Sequence, residues 1–181
     1  MVETTYKLPN CPATKLAPSL ALLTDSHNTD PQPILESLRA HTPALILIAG
    51  DFTYGSVPAD GKLKMEESTA AMDLITGCAG IAPTYLSLGN HEWMLHSSDL
   101  RLIADTGAVV LDNTFISTEV DGQRIILAGL SSARVTDYQR WRAGHPSSEL
   151  YPRETYHVEK TEPNLSWLSD FTAVPGYHVL L

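Results

Sequence analysis

Asp25 and His27, then Asp51, then Asn90, His91 and Glu92 are the residues of this chain best suited to chemistry. Carboxylate, imidazole and amide donors together make a mixed oxygen and nitrogen set of the kind that binds divalent cations. Two such cations about 3.5–4 Å apart can clamp an in-line displacement and lower the pKa of a water molecule. Asp25 and His27 are separated by one residue, so in an extended segment both project to the same side. A carboxylate has two oxygens, which lets Asp51 bridge two cations. Asn90 offers a neutral carbonyl oxygen, and His91 beside it is placed to face a substrate instead of a metal. Taken singly, each has a plainer reading. Asp25 can cap a turn, Asp51 after Gly50 can be a turn residue, and Asn90 tolerates the left-handed region. His91 alone reads as an ordinary hydrogen-bonded histidine.

Their positions argue for more. Each cluster stands directly after an apolar run: Leu20–Leu23, Leu45–Ala49 and Tyr85–Leu88. Runs of that length read as buried strands, and open α/β sheets gather ligands at the carboxyl ends of their strands. Between the runs, Asp30-Pro31-Gln32-Pro33 opens a short helix with Ile34, Leu35 and Leu38 on one face. A longer helix is expected over Leu63 to Cys78, and a third after Ser97 or Ser98 with Gly107 as its stop. Short strands follow at 108–111, 115–120 and 124–128, with Asp121-Gly122 as a hairpin signal. The stretch from Ser131 to Glu162 reads as a long loop and Pro163 as the start of a last helix. Tyr177–Leu181 reads as one more buried strand, expected to lack its usual neighbours.

Asp-x-His, Gly-Asp and Gly-Asn-His-Glu, in that order and each after a strand, resemble the calcineurin-like metallophosphoesterases over about residues 19–131. Gly-Asn-His-Glu is the most specific of the three. The resemblance implies an α/β fold, a layered mixed β-sheet sandwich flanked by helices, and a dinuclear site. By it, Asp25 and His27 hold the first metal, Asp51 bridges and Asn90 holds the second. His91 sits near the leaving group as a proton donor or transition-state stabiliser, and Glu92 orients it from behind. The implied cofactors are two divalent ions, Mn, Zn or Fe, and the implied partner is a small phosphorylated substrate, a phosphomonoester or phosphodiester.

Two departures shape the expectation for this chain. The family's further histidines, from a later strand end and a Gly-His-x-His element, have no match. Gly144-His145-Pro146-Ser147 carries serine where a second histidine is needed, and precedes the strand it should follow. The domain is therefore read as 18–181 and truncated, after a leader or edge segment at 1–17. At most one cation is expected, weakly bound, with activity low or absent. The alternative is a non-catalytic module of the same fold that binds a metal or a phosphorylated ligand. A plain scaffold leaves the clustered donors unexplained.

Composition narrows the class. At 181 residues with 43% hydrophobic content, the chain supports one substantial core. A formal charge of −9 argues against a nucleic-acid footprint, which needs clustered Lys and Arg. The longest clean apolar run, Ala44–Ala49, is too short to span a membrane. No signal peptide is visible, so a cytoplasmic location is expected. Cys11 and Cys78 form no Cys-x-x-Cys pattern and read as two free thiols.

Overall fold

A computed structural model describes residues 3–6, 19–59, 61–144 and 162–181. The expected α/β sandwich is what it contains. Four strands, β1 (Leu20–Leu23), β2 (Leu45–Ala49), β3 (Thr84–Ser87) and β4 (Val109–Val110), form one parallel sheet in the order β1-β2-β3-β4. A second sheet, in the order β5-β6-β7, holds β5 (Thr114–Val120), β6 (Gln123–Gly129) and β7 (Tyr177–Leu180). β5 and β6 are antiparallel, joined by Asp121-Gly122 with φ of 49° and 78°. Two consecutive positive φ values are what a type I′ hairpin turn requires. β7 adds to β6 in parallel, so the last strand has one neighbour after all.

The period-two alternation of the strands explains the layering. On β2, Leu45 and Leu47 face the second sheet, where they meet Ile125 and Leu127 of β6 and Tyr85 of β3. Ile46 and Ile48, one residue out of phase, face the helices. On β6, Ile126 and Ala128 point away from the sandwich and pack on Phe171 of the last helix. Each fully buried Leu or Ile contributes roughly 1.5–3 kcal/mol. Both faces of β2 are therefore needed, and the run is apolar throughout for that reason.

Among the described residues six helices flank the sheets: α1 (Gln32–His41), α2 (Lys64–Glu67), α3 (Thr69–Ala79), α4 (Ser97–Asp105), α5 (Ala133–Gly144) and α6 (Leu168–Ala173). The sequence expectation is departed from at three places. The single helix over 63–78 is two, broken at Ser68 with φ −92° and ψ 58°. That break sets α2 apart and turns Lys64 inward. Part of the long loop after Ser131 is α5, held by Val135 and Tyr138 in the main core and by Tyr138 edge-on to Trp93. The last helix starts at Leu168, because the Asn164 side chain holds a local turn by accepting from the Ser166 amide and hydroxyl. Gly144 is the last described residue of α5, and His145, Pro146, Ser147, His157 and Cys11 lie outside the described residues. No helix among the described residues is long and apolar enough to cross a membrane.

Cys78 is fully buried in the core on α3, and burial pushes its thiol up to about 12. Since only the thiolate is nucleophilic, Cys78 in a Cys11→Ser background should not react with a disulfide reagent at pH 8 until denaturant unfolds the chain. A native-state reaction as fast as that of a free thiol would contradict this packing.

Candidate metal centre

Because β1, β2 and β3 run parallel, their carboxyl ends share one sheet edge, and the three clusters arrive there together. The backbone that delivers them is not extended. Asp25, His27 and Asn28 have φ of 54°, 45° and 53°, and Gly50 and Asp51 have 70° and 52°. Non-glycine residues held in the left-handed region are uncommon and concentrate at sites where the surroundings over-determine them. Here neighbouring loops do so. The amides of His27 and Asn28 donate to the carbonyls of Asp51 and Phe52 at 3.0 and 2.8 Å. The Asn28 side chain accepts from Ala71 N of α3 at 2.9 Å. Asp25 and His27 therefore converge through a left-handed turn and not through strand periodicity, with His27 Nε2 3.6 Å from Asp25 Oδ1.

Gly50 and Gly89 lie back to back where the second and third loops cross. A Cβ on Gly50 would stand 2.5 Å from Gly89 N, and one on Gly89 would collide with Asp51 Oδ1. The glycines of Gly-Asp and Gly-Asn-His-Glu are thus explained by close approach of two backbones. Glu92 fastens the crossing. It is fully buried, and its carboxylate accepts from the amides of Gly89, Asp51 and Thr53 at 2.9, 2.8 and 2.8 Å and from the Thr53 hydroxyl at 3.0 Å. Burial raises its pKa, against the pull of the Thr53 and Asp51 amides and the Thr53 hydroxyl. Glu92 thereby holds the peptide on which Asp51 sits.

His27, Asp51 and His91 each bring one donor atom into a group whose members all lie within 4.8 Å of one another. The two imidazoles meet edge-on, centroids 4.5 Å apart, and Asp51 Oδ1 also accepts from His91 N at 3.0 Å. Two nitrogens and a carboxylate at that spacing fit a divalent cation of the Mn, Fe or Zn type. The His91 Nδ1 atom is buried with no hydrogen-bond partner among the described residues. Asp25 stands at the rim, its side chain 60% exposed, with Thr24 Oγ1 donating to it at 2.7 Å. Asn90 opens the short 3-10 turn Asn90–Glu92 at the same edge and is exposed. The resemblance sets His91 at this edge facing a substrate, and the structure brings its ring within reach of His27 and Asp51 as well. That closeness follows from the turn that Glu92 and Asp51 impose on residues 89–92.

The family model described as calcineurin-like phosphoesterase matches residues 19–180. Among solved structures, the crystal structure of TT1561 of Thermus thermophilus is similar with a TM-score of 0.53 at 12% identity, over 91% of this chain and 68% of that one. That likeness is one of fold. The protein of unknown function AQ665 from Aquifex aeolicus aligns with a TM-score of 0.35 at 15% identity, over 84% of this chain and 92% of that one. No curated protein matches the chain.

Proposed function

The chain belongs to the calcineurin-like phosphoesterase family, a family of metal-dependent hydrolases, and from that premise we propose that its strand-end site acts on a small phosphomonoester or phosphodiester. The observation that carries the proposal is the His27–Asp51–His91 group at one sheet edge. In this reading His27 and Asp51 hold a divalent cation, with Asp25 at the rim and Asn90 on the neighbouring turn as further oxygen donors. When bound, the cation supplies charge neutralisation at phosphorus and a lowered pKa for water. The protein's part is to fix the donors. Glu92 sets the Asp51 peptide, Asn28 ties the first loop to α3, and Asp51 Oδ1 holds the His91 amide. In this reading the imidazole of His91, the third member of the group, stays off the cation and is placed to hold or pass a proton at the leaving oxygen. Exposure of Asp25 and Asn90 leaves the edge open to a small phosphorylated partner.

The described residues bring together donors for one cation. A two-cation clamp needs more, and the expectation is one Mn²⁺ bound per molecule at this group, with slow turnover. The check is calorimetric Mn²⁺ stoichiometry together with bis-p-nitrophenyl phosphate turnover. One site, with a rate close to the metal-only background, is expected. Rapid Mn²⁺-dependent turnover that His91→Ala abolishes would mean the single group suffices and would refute the low-activity reading. A second reading, a non-catalytic module of the same fold, draws on the same single group and predicts phosphate or Mn²⁺ binding with no dependence of the rate on His91.

A further inference from the structure

One buried cation has no part in the site described above. Lys64, the first residue of α2, is 2% exposed. Lysine is almost never fully buried unless paired. Its Nζ donates to the carbonyl oxygens of Tyr54 and Ser56. Burial pulls its pKa down, while the carboxylates of Glu92, Asp99 and Glu67 favour its charged form. Those carboxylates are themselves engaged. Glu92 fastens the loop crossing, Asp99 accepts from the amides of Met65 and His96 at 2.8 Å each, and Glu67 accepts from Ala59 N at 3.1 Å. α2 therefore grips the 54–59 segment at both ends.

The two carbonyls held by Lys64 flank Gly55, and Gly55 lies over the imidazole of His91. A Cβ built on Gly55 would stand 3.3 Å from His91 Nδ1 and 3.5 Å from Cε1. Anything that lifts Gly55 frees the ring on that side.

We propose that Lys64 is a positioning residue for the metal centre: by holding the carbonyls of Tyr54 and Ser56 it seats Gly55 on the His91 ring and so fixes that ring beside His27 and Asp51. Its metal-dependent part rests on the metal-centre reading given above; its Gly55–His91 part does not. Glu92 sets the backbone of the site, whereas Lys64 acts on a side chain through Gly55. The long aliphatic stem lets a single ammonium reach both carbonyls from the core, and arginine can meet the same two acceptors with its fork of donors.

The test uses the full chain as wild type, Lys64→Met and Lys64→Arg. In the metal-free protein, the nuclear Overhauser contact between Gly55 Hα and the His91 ring is measured. Affinity and visible absorption of Co²⁺ are measured in parallel. Lys64→Met should lose the contact, shift the Co²⁺ band and bind Co²⁺ about tenfold more weakly, the scale seen when an outer partner of a ligand is removed. Lys64→Arg should recover much of both. A folded Lys64→Met protein with the Gly55–His91 contact and the Co²⁺ spectrum unchanged would overturn the proposal. If wild type binds no Co²⁺, the metal-centre reading falls, and the contact in the metal-free proteins still decides the role of Lys64. If Lys64→Met does not fold, Gly55→Ala decides with Lys64 intact. Its added Cβ, 3.3 Å from His91 Nδ1, must shift the ring slightly, so the His91 ring resonances and the Co²⁺ band should both move, and both unchanged would overturn the proposal.

Discussion

Asp51→Asn should weaken Mn²⁺ binding by on the order of 100-fold, about 2.7 kcal/mol, with little change in stability. The substitution is chosen because shape and hydrogen bonding survive it. Asp51 Oδ1 accepts from the His91 amide at 3.0 Å and lies in contact with Gly89. An asparagine oxygen can take the same place. What disappears is the one carboxylate in the His27–Asp51–His91 group, leaving two imidazoles beside a doubly charged ion. Titration calorimetry of both proteins, with urea unfolding as the control, checks it. Equal affinities would remove Asp51 from the site. A collapse in stability would mean that Asp51 serves the loop crossing more than the cation.

Glu92→Ala should be the most destabilising substitution at the site, by roughly 3–5 kcal/mol. Three backbone amides, of Gly89, Asp51 and Thr53, and the Thr53 hydroxyl all donate to this carboxylate in a fully buried position. Alanine leaves them without an acceptor where water does not reach, and each buried donor so stranded costs about 1–3 kcal/mol. Lys64 also loses one of the carboxylates that support its charge. The urea midpoint should fall sharply at unchanged slope, and what remains folded should bind Mn²⁺ poorly because two loops have lost their common anchor. A loss below about 1 kcal/mol would show that the amides find other acceptors and that Glu92 is not the fastening of the site.

The part of this architecture written in the sequence is the part set by hydrophobic period. Leu45–Ala49 is apolar on both faces because one face meets helices and the other a second sheet, and that pattern alone locates the strand ends and the clusters after them. Asp121-Gly122 specified its hairpin because both residue types tolerate the positive φ that a two-residue type I′ turn requires, and both adopt it here. Long-range choices left no trace. β7 pairs with β6 across some fifty residues, and nothing local in Tyr177–Leu180 names that partner. α5 carries no clear helical period because its polar residues outnumber the few that pack, Val135 and Tyr138 among them. Its helical state comes from contacts with Trp93 and the core. The break at Ser68, with a buried lysine behind it, reads from sequence as uninterrupted helix. The left-handed turn at Asp25–Asn28 was hidden for the same reason, since its strain is borne by hydrogen bonds to residues 51, 52 and 71.

The placement of a cation among His27, Asp51 and His91 is best examined by soaking Zn²⁺ into crystals of the chain and recording anomalous diffraction at the zinc edge. One strong peak is expected at the carboxyl ends of β1 to β3, about 2.0–2.2 Å from a carboxylate oxygen of Asp51 and an imidazole nitrogen of His27, and absent in Asp51→Asn crystals. A peak elsewhere with none at that edge, or a peak there that survives Asp51→Asn undiminished, would contradict the assignment.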